Sequence, residues 1–170
     1  LAEAVQASTG KRIVPVFVLG SEDHDLEELN HINLFGRRLE WQSGEQGAVG
    51  SMHTELLAPV LDQLKGILGE SEAARSLFER IEKTYTSRAS FAEATQALLH
   101  EFLGRFGLVV LNMNHPALKR HFIPVMRDEL LHHTAHRLVG ETVARLNELG
   151  FKTQAAPREI NLFYLRPGSR

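Results

Sequence analysis

Residues Val14 to Asn30 read VPVFVLGSEDHDLEELN. An apolar, β-branched run stops at Gly20, gives way to a serine, three acids and a histidine, and then takes on helical spacing. Extended back to Lys11 (KRIVPVFVLG), the run is continuous rather than alternating, the pattern of a strand buried on both faces of a parallel sheet. Pro15 near its start removes an N–H where the ladder can spare one. In open parallel α/β sheets, ligands bind beyond the carboxyl ends of the strands. Ser21, Glu22, Asp23, His24 and Asp25 stand at such an end.

Downstream, Leu26, Leu29 and Ile32 predict a short helix, with Asp25 as its cap accepting from the Glu27 or Glu28 N–H. NLFGRRLEWQSGEQGAVGS (33–51) mixes apolar and polar residues with four glycines and predicts a β-hairpin or excursion off the main sheet. Leu56, Leu57, Val60, Leu61, Leu64, Ile67 and Leu68 form an apolar helical stripe ended by Gly69. A second helix places Leu77, Phe78 and Ile81 inward. Ser90 with Glu93 is a capping box opening a third, which runs through Leu98, Leu99, Phe102 and Leu103 to Gly107. Leu108 to Asn112 (LVVLN) is a second buried strand. Asn114 or His115 caps a long helical region, Pro116 suits its first turn, and Pro124 should kink or divide it. After Gly150, Ile160 to Leu165 reads as a third strand. Strands alternating with helices predict an α/β fold with a parallel sheet and right-handed crossovers. The chain starts at Leu1 already in helical spacing and closes on a fresh strand, so residues 1–170 are expected to be part of a larger protein.

With 170 residues, 43% hydrophobic and 24% charged, the chain has the composition of a globular domain able to bury a core. A formal charge of −2 with both signs interspersed gives no basic surface for nucleic acid. No apolar stretch has the length of a membrane span. The absence of cysteine excludes disulfides and thiolate chemistry from these residues and fits a reducing cytoplasm.

Capping accounts for one or two polar residues at a helix start, not for five in succession at a strand end. Carboxylates flanking an imidazole raise its pKa and fix its tautomer, as a general base or a substrate anchor requires. Asp23, His24 and Asp25, with His31, are also metal-ligand types, although no dedicated metal motif accompanies them. His132 and His136 form an i, i+4 pair near Asp128 that can share one helix face. Asn112, Asn114 and His115 end the second strand and can line the same crevice, or Asn114 can serve only as a cap. Asn161, Tyr164 and Arg166 lie on the third strand, and an arginine there can clamp a carboxylate or phosphate. G-x-G-x-x-G, G-x-x-x-x-G-K-[ST] and G-x-S-x-G patterns are all absent.

Two stretches together, VPVFVLGSEDHDLEELNHI and REINLFYL, separated by this helical middle and GLVVLN, resemble the bacillithiol-biosynthesis cysteine-adding enzymes, a family of cysteine ligases. The resemblance implies a Rossmann-like core and, in the full-length protein, a coiled coil that makes a homodimer. It implies a reaction joining the carboxyl of cysteine to the amine of glucosaminyl-malate, the last step to a low-molecular-weight thiol, with ATP as the energy source. Glu22, Asp23, His24 and Asp25 match the family's acidic-histidine segment. His24 would deprotonate or orient the amine, Asp23 or Asp25 would hold its ring, and the acids would bind an ammonium. Asn161 and Tyr164 match its second motif and would form pocket wall, alongside Ser21, Asn112 and Asn114. The family's glycine- and glutamine-rich stretch, the best phosphate contact, is expected upstream of these residues, and the fragment alone is expected to be inactive. Two other readings are a metal-dependent hydrolase built on Asp23, His24 and Asp25, and a non-catalytic α/β binding domain.

Overall fold

The chain divides into two units, Leu1–Asn114 and His115–Arg170, and the computed structural model describes residues 1–164 of it. In the first unit, helix α1 (Ala2–Thr9) leads to strand β1 (Val16–Leu19). Helix α2 (Leu26–Leu29) follows, then a hairpin of β2 (His31–Leu34) and β3 (Arg37–Glu40). Helices α3 (Ala58–Leu68), α4 (Glu72–Thr86) and α5 (Phe91–Leu103) precede strand β4 (Val109–Asn112). β1 and β4 pair in parallel, Val16 opposite Val109 and Leu19 opposite Asn112. A parallel pair with helices between its strands, plus an antiparallel hairpin, makes the fold α/β, as the alternation predicts.

The hairpin starts two residues before the predicted segment. Its two loop residues, Phe35 and Gly36, both take positive φ, 48° and 75°. That pattern matches the twist of paired strands, and Gly36 adopts it without steric penalty. Beyond β3 the chain does not continue the hairpin but enters 3-10 turns at Val49–Ser51 and Thr54–Leu57.

The core lies between hairpin and helices. Leu39 packs with Leu61, Leu64 and Phe78, and Trp41 with Val49, Met52 and Leu57; Val60 and Tyr85 pack against both groups. Trp41 stacks on Phe91 at a centroid separation of 5.1 Å, an arrangement worth about 0.5–1.5 kcal/mol beyond area burial. Burial pushes the Tyr85 phenol above its usual pKa, offset in part by the Thr95 hydroxyl beside it. Ser71 and Ser90 cap α4 and α5 through Ala74 N–H and Glu93 N–H, 3.2 and 3.3 Å away.

Several expectations change. Val16, Phe17 and Val18 of β1 are about half exposed rather than buried. Among the described residues β1 has one strand neighbour, and α5 packs on β4 rather than on β1. Gln96 of α5 donates to the Val110 carbonyl (3.0 Å), occupying part of the outer edge of β4. Asp25 stands at the N-cap of α2 without a side-chain hydrogen bond, and the helix ends at Leu29, so Ile32 belongs to β2. Leu77 is more than a third exposed, whereas Phe78 faces the core.

In the second unit, the long helical region consists of α6 (Pro116–Lys119), a 3-10 turn (Arg120–Phe122), α7 (Ile123–His132) and α8 (Thr134–Glu148). His115 caps α6, its Nδ1 accepting from Ala117 N–H at 3.2 Å. Pro124 opens α7, the predicted division. A second break, at His133 with left-handed φ 50° and ψ 40°, has no proline or glycine to announce it. Ile160–Tyr164 carries no strand among the described residues, while Leu165 and Arg166 lie outside them.

Candidate functional site

The turn leaving β1 is fastened from two directions. The buried Ser21 hydroxyl donates to Asn112 Oδ1 at 2.5 Å, tying the carboxyl end of β1 to that of β4. The same oxygen accepts the Asn114 N–H at 3.0 Å, and Met113 N–H reaches the Leu19 carbonyl at 3.4 Å. From the other side, Val49 N–H donates to the Asp23 carbonyl at 2.8 Å. Gly50 lies against Ser21 so closely that a Cβ there would fall 2.7 Å from Ser21 Cβ and 2.8 Å from its Cα. Only glycine permits that approach without a backbone shift.

Within the turn, the Asp23 carboxylate accepts the Asp25 N–H at 3.0 Å, an Asx turn that closes the loop on itself. Asp23, His24 and Asp25 are exposed and Glu22 is half-buried. The His24 ring makes no hydrogen bond among the described residues, whether to Asp23 or to Asp25; its carbonyl accepts Leu26 N–H at 3.0 Å. Glu27 and Glu28 on the first turn of α2 add to the negative charge. The result is a rigid backbone presenting an unengaged imidazole among carboxylates, suited to attracting an ammonium group and handling its proton.

The other candidates fall as follows. Ser21, Asp23, Asn112 and Asn114 come together at the strand ends, with the Ser21 hydroxyl and Asn112 Oδ1 engaged with each other. His31 turns its Nδ1 to the Glu27 carbonyl and Asn30 Oδ1, 3.1 and 3.2 Å away. No group of three His, Asp or Glu residues converges to hold a metal ion among the described residues. In the second unit, His132 pairs with Asp128 at 3.0 Å. It shares no helix face with His136, because the break at His133 puts them on different helices. The Asn161 N–H donates to Glu129 Oε1 at 2.9 Å, and Tyr164 is exposed. Arg166 lies outside the described residues.

The sequence pattern of Ser43–Ser51, a hairpin or excursion, gives it no place at the site, yet its Val49 and Gly50 form the wall that clamps the turn. Its glycines were the available signal. Gly44 and Gly47 take φ of 66° and 100° with open space around them. Glu45 anchors the loop by accepting His53 N–H and contacting His53 Nδ1, at 2.8 and 3.1 Å. Two recesses of this unit lie elsewhere: one of about 650 Å³ between α5 and β4, and an apolar one of about 400 Å³ over Leu61, Leu64 and Trp41. Neither is lined by residues 21–25.

Comparison with known proteins places the whole chain in one context. Residues 1–170 match the family model described as bacillithiol biosynthesis BshC, N-terminal Rossmann-like domain. The chain is 38% identical over 157 residues, 92% of its own length, to a Flavobacterium psychrophilum protein named "Putative cysteine ligase BshC", of which 29% is covered. Proteins of the same name from Christiangramia forsetii and Cytophaga hutchinsonii are 37% and 33% identical over 89% and 100% of the chain. Those matches cover 29% and 31% of the relatives, so the chain spans less than a third of their length.

Proposed function

The chain belongs to the BshC family of bacillithiol biosynthesis as its N-terminal Rossmann-like domain, and from that membership we propose that the whole protein is an ATP-driven ligase joining cysteine to glucosaminyl-malate. The product is the thiol bacillithiol. This domain contributes the polar turn at the end of β1, with Glu22, Asp23, His24 and Asp25 as its working residues. One observation carries the assignment: the Ser21–Asn112 bond draws the carboxyl ends of the two parallel strands together where this segment departs.

The chemistry suits the residues. A sugar amine is largely protonated near neutral pH and must lose a proton to attack an acyl carbon. The carboxylates attract that ammonium, and His24, whose ring has no hydrogen bond among the described residues, takes its proton. Ser21, Asn112 and Asn114 shape the floor beside that turn, and within the second unit Asn161 and Tyr164 are assigned to substrate contact. The acids would repel a triphosphate, so its fit is to backbone amides instead. That contact is assigned to the glycine- and glutamine-rich stretch expected upstream of these residues. ATP supplies the energy for amide formation from a carboxylate.

Among the described residues no helix is long and apolar enough to cross a membrane. The reading adds that the whole protein works in the cytoplasm and forms a homodimer through a coiled coil beyond these residues. Incubating the full-length protein with cysteine, glucosaminyl-malate and ATP, and omitting each in turn, tests the proposal by mass spectrometry. Cysteinyl-glucosaminyl-malate formed only when all three are present is the expected result. Its absence from the complete mixture, with the substrates shown to bind, would refute the ligase assignment.

A further inference from the structure

Glu129 is buried, 6% exposed, in the second unit, and the chemistry above makes no use of it. It sits near the end of α7, four residues before the left-handed His133, whose N–H closes on the Glu129 carbonyl at 3.1 Å. Both carboxylate oxygens are engaged by backbone donors. Oε2 accepts the Ala135 N–H at 2.9 Å, capping α8 from the preceding helix where the cap residue His133 offers no side-chain bond. Oε1 accepts the Asn161 N–H at 2.9 Å, from a segment 32 residues further along. A negative charge at the start of α8 is favoured by the helix dipole. That accounts for one oxygen and leaves the other, committed to Asn161, in need of a separate reason.

We propose that Glu129 is a positioning residue: it seats the Asn161–Tyr164 segment on the α7–α8 elbow and so fixes the backbone that presents Asn161 and Tyr164. The positioning role rests on the reading of those two side chains as substrate-pocket wall. An ionised carboxylate offers only acceptors, and here each oxygen meets one N–H. An amide of the same shape keeps one acceptor and turns an NH2 group toward the other donor. Glu129→Gln therefore loses one of the two contacts with almost no change in volume.

The test uses the full-length protein. Hydrogen exchange of peptides covering residues 158–164 and the start of α8 is compared between wild type and Glu129→Gln, alongside thermal melting and the kcat and KM of ligation. We expect exchange in 158–164 to quicken by about tenfold or more while the melting transition stays single. KM for one substrate should rise about fivefold or more, with kcat within about twofold. Asn161→Pro deletes the one N–H and leaves the α8 cap in place, so it serves for the exchange measurement if Glu129→Gln fails to fold; because it also removes the Asn161 side chain, KM is read only from Glu129→Gln. Unchanged exchange in 158–164 overturns the clasp. Faster exchange with unmoved KM makes it merely structural and overturns the positioning role. A wild type that forms no product sinks the ligase reading separately, and the exchange data then decide the clasp alone.

Discussion

Ser21 and Asn112 were both recognisable from the sequence as polar residues at strand ends. What their positions could not convey is that each satisfies the other. The strand-end rule locates a crevice; it does not say which side chains remain free to meet a ligand. His24 is free in this sense and Asp23 is half committed, one oxygen accepting the Asp25 N–H. Gly50 was unreadable for a different reason, since its need to be glycine comes from Ser21, 29 positions away and invisible to local pattern. Gly50→Ala should cost about 1–3 kcal/mol, because an added methyl must displace the Ser21 backbone rather than a flexible side-chain tip. A urea titration gives the loss directly. A midpoint equal to wild type would show that the turn is not clamped in solution.

Elements announced by their own ends were legible. Ser90 caps α5, Pro116 and Pro124 open α6 and α7, and Gly107 and Gly150 take the positive φ of chain-turning glycines. The break at His133 was not, because DELLHHTAHRLVG holds no glycine or proline before Gly140 and the elbow is stabilised by Glu129 from outside its own turn. The short α2 was over-extended for the same reason: pairing in the hairpin claims Ile32. At the elbow, Asp128 is held below the ordinary carboxylate range, chiefly by the Thr134 hydroxyl and then by His132. A depressed folded pKa contributes stability above the unfolded value, near 3.9, and loses it as pH falls through the lower folded value. An NMR titration should therefore show Asp128 ionising below the ordinary aspartate range. Thr134→Ala and His132→Ala should each raise its pKa, and an unchanged titration in Thr134→Ala would contradict the first assigned cause.

At the scale of the whole chain, the parallel pairing of β1 with β4 was readable because apolar runs separated by helices have few other topologies. The exposure of β1 was not. An uninterrupted apolar run reports a strand suited to burial on both faces, and among the described residues only β4 pairs with it. Since the chain spans less than a third of the length of the three relatives named above, the proposed ligation is ascribed to the full-length protein, and the central claim concerns what this turn contributes to it. The most direct measurement is kcat/KM for cysteine ligation by the full-length protein carrying His24→Ala, with circular dichroism confirming the fold. Among the described residues the His24 ring has no hydrogen bond to lose, so stability should change little. The account predicts a fall in kcat/KM of about 10²–10⁴-fold, the usual contribution of a positioned acid–base group. A folded variant that ligates at the wild-type rate would contradict it.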